Sequence, residues 1–98
     1  MILFNVVYSV KEGKRDEFYN KICAKGIVDS SRQEAGNLKY NYYLPMNEKN
    51  DILLIEIWNT LEEQATHILT THYKELQKIK QEYVTNIRIE KFNIVSID

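Results

Sequence analysis

The residues of this chain best equipped for chemistry stand close together. Both histidines, His67 and His72, and the only tryptophan, Trp58, fall within EIWNTLEEQATHILTTH, residues 56–72. Imidazole exchanges protons near neutrality, indole brings an aromatic wall with one N–H donor, and Glu56 heads the stretch with a carboxylate. Such a set could be an active site, or an ordinary strand-to-helix junction that happens to hold two histidines. Several chemistries are disfavoured. The two histidines are five residues apart, not the four of a metal pair on one helix, and there is no HExxH. A single cysteine, Cys23, allows neither an internal disulfide nor a Cys-rich zinc site. Neither GxGxxG nor GxxxxGK[ST] occurs, and no nucleophile-elbow sequence supports a serine triad.

The elements that must position these residues follow from periodicity and punctuation. ILFNVVYSV, residues 2–10, is β-branched and aromatic and reads as a strand. Gly13 turns the chain into one helix from Lys14 to about Gln33. Asp16 and Glu17 stand in its first turn, and Phe18, Tyr19, Ile22, Cys23, Gly26 and Ser30 form one face. Gly36 occupies the left-handed cap position. Strands are expected at Leu38–Leu44 and Asp51–Trp58, joined by the polar loop PMNEKN. Thr60 with Glu63 is a capping box. It opens a helix whose apolar face holds Leu61, Ala65, Ile68 and Leu69. Thr70 and Thr71 interrupt that helix, a further one runs from His72 to Tyr83, and Thr85–Ile97 is a last strand.

The order is β-α-β-β-α-β, the α+β, ferredoxin-like arrangement of an antiparallel sheet with helices on one face. Strand Asp51–Trp58 is apolar to both sides: Leu53, Ile55 and Ile57 alternate with Ile52, Leu54 and Trp58. An antiparallel sheet without a wet face needs a second cover, so a homodimer with the sheets packed face to face is expected. With 98 residues the chain is one domain, residues 1–98, of a size that gains from association. A net charge of -1 speaks against nucleic acid or an anionic membrane as partner. The apolar N-terminus lacks a basic leader, no apolar run approaches the roughly 20 residues of a membrane span, and the lone cysteine fits a reducing compartment. A cytoplasmic location is expected.

Helical geometry separates the histidines. On the first segment His67 lies opposite Leu61, Ala65 and Ile68, one turn from Glu63, and is expected at a rim. His72 aligns with Leu76, Ile79 and Tyr83 on the inward stripe, in the core or in a pocket. Glu56 shares a strand face with Ile52, Leu54 and Trp58 and must be paired or wet. Arg88, Lys91 or a tyrosine hydroxyl across the dimer would serve as partner, or Glu56 is a pocket carboxylate. Tyr40 and Tyr42 share the Leu38 face of their strand and read as packing or as a substrate wall.

The segments VKEGKRDEF, SSRQEAGNLKY and EIWNTLEEQATHILTTHYKEL together resemble the antibiotic biosynthesis monooxygenase family. Its pattern of Arg-x-Glu-x-Gly-x-x-x-Tyr, an acidic-x-aromatic strand end, and two histidines falls here on Arg32, Glu34, Gly36, Tyr40, Glu56, Trp58, His67 and His72. The resemblance implies a dimeric α+β barrel with a pocket between sheet and helices, and oxidation of a quinol or polyphenol by O₂ without metal, flavin or haem. In that setting His72 is the expected base, and Glu56 orients a histidine or the substrate hydroxyl. Trp58, Tyr40, His67 and Tyr83 are expected to bind substrate. The same resemblance admits an isomerase of a phosphorylated sugar, with Lys39 and Lys74 as phosphate ligands, or a non-catalytic ligand-binding dimer. Haem cleavage fits less well, because Asn5 is out of register and Gln77 stands where a haem-ligating histidine belongs.

Overall fold

A computed structural model describes all 98 residues. The elements are β1 (Ile2–Val10), α1 (Arg15–Ala24), α2 (Ile27–Arg32), β2 (Asn37–Tyr43), β3 (Asp51–Trp58), α3 (Leu61–His67), α4 (Thr71–Tyr83) and β4 (Val84–Asn93). The strands form one antiparallel sheet in the order β2-β3-β1-β4. This is the expected ferredoxin-like arrangement, with both helical segments broken in two.

Burial alternates along β1 and β3 because successive side chains point to opposite faces. Phe4, Val6, Tyr8, Val10, Ile52 and Leu54 point to the helices, where Phe18, Ile22, Ile27, Leu76, Ile79 and Tyr83 meet them. Each fully buried Ile, Leu or Phe adds roughly 1.5–3 kcal/mol of apolar transfer energy, so this single layer holds the fold together. The outer face carries Leu3, Val7, Leu53, Ile55 and Ile57, all half-buried.

Three expectations change. The first helix is not continuous. Gly26 takes φ +69°, ending α1 and restarting α2 in a new phase that buries Ile27 and Ser31. Tyr19 and Cys23 are therefore exposed. Leu38 does not share a face with Tyr40. A register shift between Asn37 and Lys39 ejects it, and it is 55% exposed. The last strand ends at Asn93, not Ile97, and runs along the sheet edge, where Ile87, Ile89 and Phe92 remain uncovered by helix.

The Arg32–Tyr40 turn is built from its own side chains. Arg32 donates from Nε to the Tyr40 carbonyl at 3.0 Å and from Nη2 to Asn41 Oδ1 at 3.1 Å. Gly36 has φ +81°, and its carbonyl accepts from the Asn59 backbone N–H at 2.8 Å. A Cβ on Gly36 would also overlap the Glu63 carboxylate. Gly36→Ala is therefore expected to destabilise the fold by about 1 kcal/mol or more, since alanine is strained at positive φ. Urea denaturation measures this, and an unchanged midpoint would contradict it.

Candidate active site

The site begins with a helix break. Thr60 caps α3, its Oγ1 accepting from the Glu63 backbone N–H at 3.2 Å, as the capping box requires. After only 7 residues α3 ends, and Thr70 caps α4 by accepting from the Tyr73 N–H at 3.2 Å. Two caps ten residues apart start two separate helices, so one helical wheel cannot describe both.

That is why His67 is not at a rim. It is 2% exposed, while the expected inner residues Leu61, Ile68 and Leu69 are 56%, 43% and 73% exposed. The last turn of α3 drives His67 against Trp58 and Tyr40, with ring centroids 4.9 and 5.9 Å away. His72 opens α4 and lies on the expected stripe above Leu76, Ile79 and Tyr83, but its side chain keeps 19% exposure.

The two imidazoles meet on one carboxylate. Glu34 Oε2 stands 2.5 Å from His67 Nδ1 and 2.7 Å from His72 Nε2. Each of these nitrogens donates to Glu34 Oε2 in the tautomer that places the ring proton on it. His67 Nε2, on the opposite edge of the ring, lies 3.9 Å from Glu56 Oε1. Glu56 also accepts from the Trp58 indole N–H at 3.0 Å. Its partner thus lies two residues along the same strand and not across a dimer. Burial pushes the Glu56 carboxyl above its usual range, against the opposing pull of the Trp58 hydrogen bond and His67.

Glu56 and His67 both face a cavity of about 90 Å³ beneath α4, walled by Phe4, Tyr8 and Tyr73 among others. Lys80 also lines it, with its ammonium 5.4 and 5.5 Å from the Tyr8 and Tyr73 ring centroids. Burial lowers the Lys80 pKa, while Glu56 pulls the other way. Lys80 and Ile87 belong also to an open groove between α4 and β4, which gives the cavity a way out.

The other predicted residues separate by position. Trp58 and Tyr40 are wholly buried behind His67 and do not line this cavity. Burial raises the Tyr40 pKa, so its hydroxyl stays neutral, 3.3 Å from that of Tyr42. Tyr83 is a core residue at the far end of α4, packed on Phe18 and donating to Glu17, so it is not a cavity residue. His72 reaches the cavity only through Glu34 and His67. Lys39 is paired with Ile57 on the outer face, and Lys74 is exposed, so neither adjoins the cavity. Asn5 is likewise on the outer face, donating to Glu90 at 3.3 Å. Glu34, Lys80 and Tyr73 were not singled out as site residues. The signal for Tyr73 and Lys80 was helical spacing: they stand three residues before and four residues after Leu76, on the inner side of α4.

Because burial raises the Glu56 pKa, the folded state holds its proton more tightly than the unfolded chain. Stability must therefore fall as pH rises from the ordinary carboxylate value of 4.5 through the higher folded one. Glu56→Gln keeps an acceptor for the Trp58 indole without the charge. It is expected to melt above the parent at neutral pH, with the gap closing below the ordinary carboxylate value. Thermal melts across this range measure it, and a gap independent of pH would contradict it.

The antibiotic biosynthesis monooxygenase family matches residues 1–79. "Putative monooxygenase YcnE" of Bacillus subtilis (strain 168) is 31% identical over 74 residues, 76% of each chain. Among solved structures, PA3566 from Pseudomonas aeruginosa superposes with a TM-score of 0.85 at 19% identity, covering 97% of this chain and 94% of that one. The "Putative antibiotic biosynthesis monooxygenase" from Nitrosomonas europaea gives a TM-score of 0.88 at 20% identity, over 98% and 100%. These two share the fold, and the family match extends through the histidines and the carboxylates that meet them: the chain belongs to the antibiotic biosynthesis monooxygenase family.

Proposed function

We propose that this chain is a cofactor-independent monooxygenase acting on a single-ring quinol or polyphenol with O₂, in the cavity beneath α4. One observation carries the reading: a buried imidazole, held at Nδ1 by Glu34, whose Nε2 edge faces an aromatic-walled cavity beside a carboxylate. At about 90 Å³ the cavity is far below the several hundred Å³ of a drug-sized site, which favours one ring over a haem or a nucleotide.

In this reaction the substrate O–H gives its proton to His67 Nε2. Glu34 holds the opposite N–H and stabilises the imidazolium, and His72, on the same carboxylate oxygen, offers the charge a path toward solvent. His72, the base expected from the sequence, thus acts through Glu34. Glu56 orients a second hydroxyl, and the Lys80 ammonium stabilises the developing oxyanion. The electron-rich phenolate passes one electron to O₂, and the resulting radicals combine at a ring carbon. Loss of water then leaves a hydroxyquinone. Quinol plus O₂ becomes hydroxyquinone plus water, with both reducing equivalents drawn from the substrate.

The working unit in this reading is a cytoplasmic homodimer covering the outer sheet face, which Leu53, Ile55 and Ile57 supply. Sedimentation should give twice the chain mass, and Ile55→Lys should give a folded monomer. A wild-type monomer at micromolar concentration would overturn the dimer.

An aerobic screen of quinols and polyphenols, read by oxygen uptake, tests the chemistry. His67→Ala is expected to lose about 10²–10⁴-fold in kcat, and His72→Ala a smaller factor. Uptake unchanged in both variants would remove the assigned acceptor. No uptake with any quinol would favour the isomerase or the non-catalytic binding dimer, distinguished by thermal stabilisation with a phosphorylated sugar.

A further inference from the structure

We propose that Glu34, His67 and His72 form a binding site for one divalent cation of the zinc class. Their donor atoms come from three separate elements: the turn after α2, the end of α3 and the start of α4. All three lie within 4.8 Å of one another. The five-residue histidine spacing spoke against a metal pair on one helix, but the break between α3 and α4 removes that objection. It brings the two ring centroids to 5.8 Å.

The directions of the groups matter more than their proximity. His67 Nδ1 and His72 Nε2 both point at the same Glu34 oxygen, at 2.5 and 2.7 Å. Nitrogens that aim their protons at one point aim their lone pairs there once each proton has moved to the other ring nitrogen. Donors around a tetrahedral zinc ion stand about 3.3 Å apart, given bonds of about 2.0–2.1 Å. The three donor atoms lie within 4.8 Å of one another, so admitting the ion requires Glu34 to swing back and the two imidazoles to draw closer together.

The surroundings complete the site. A metal-bound imidazole ordinarily donates its remaining N–H to an outer carboxylate. His67 Nε2 has Glu56 Oε1 at 3.9 Å, and the Trp58 indole fixes that carboxylate from the other side. Exposures of 13% for the Glu34 side chain and 19% for that of His72 leave an entry path. Two imidazoles and one carboxylate suit zinc and its borderline neighbours and not the hard ions calcium and magnesium. Three protein ligands leave a fourth position for water. With the ion on Nδ1, His67 would carry its proton on Nε2 and could accept none from substrate, so a bound ion would silence the proposed oxidation while leaving the fold intact.

The test needs no substrate, so its result is independent of the quinol reading. Chelator-treated full-length protein is titrated with Zn²⁺ by calorimetry and with Co²⁺ by visible absorption. The expected result is saturable binding of one ion per chain, four-coordinate cobalt absorption, and a melting temperature raised by zinc. His72→Gln and Glu34→Gln, checked for folding by circular dichroism, should lose both the saturable site and the thermal shift. Glu56→Gln should weaken binding about tenfold as an outer partner. No saturable binding by the wild type, or equal binding by the His72 and Glu34 variants, overturns the site.

Discussion

One oxygen atom of Glu34 organises the functional half of this molecule. Two imidazole nitrogens meet it at 2.5 and 2.7 Å, in a place that is nearly dry. A buried carboxylate without partners would be very costly, and so would a buried imidazole N–H with nothing to receive it. Each group satisfies the others, which makes the arrangement highly sensitive to position. Most of the surrounding structure can be read as the means of fixing that position. Arg32 clamps the backbone of Tyr40, Gly36 takes the left-handed turn, and the Asn59 N–H ties the turn to the end of β3. Thr60 and Thr70 cap the two helices that bring the two rings to the carboxylate.

The second carboxylate plays a complementary part. Glu56 interrupts an apolar strand face, and the Trp58 indole two residues on holds it. Glu56 lines a small aromatic cavity and gives the Nε2 edge of His67 a polar neighbour. A chain of titratable groups, Glu56, His67, Glu34 and His72, thus runs from cavity to surface. Proton transfer is the chemistry such a chain serves best. The same convergence of donors makes a cation a competitor for the centre of the chain.

The sheet was legible in the sequence because β1 and β3 alternate cleanly between two apolar faces. The α4 stripe of Leu76, Ile79 and Tyr83 was legible because that helix is long enough to show its period. The placement of Glu56 followed from strand parity alone. His67 was misplaced for a physical reason. Its helical wheel was drawn from the apolar residues Leu61, Ala65 and Ile68, yet α3 spans only 7 residues and presents its last turn to the core. Those apolar residues are the ones left exposed. Glu34 and its neighbours were legible as a pattern, Arg-x-Glu-x-Gly, but not as a function. A turn acid finds its partners across more than thirty residues of sequence, and no local period encodes such a contact. Tyr83 was over-read for the opposite reason: an inward tyrosine on a helix serves the core as readily as a site.

The central claim is that Glu34 holds His67 with its proton on Nδ1 and leaves Nε2 bare toward the cavity. Long-range ¹H–¹⁵N correlation spectra of metal-free protein at neutral pH report this directly. The account predicts the Nδ1–H form for His67 and the Nε2–H form for His72, with the His67 preference lost in Glu34→Gln. A spectrum with the His67 proton on Nε2, or with both rings averaging freely between forms, would contradict it.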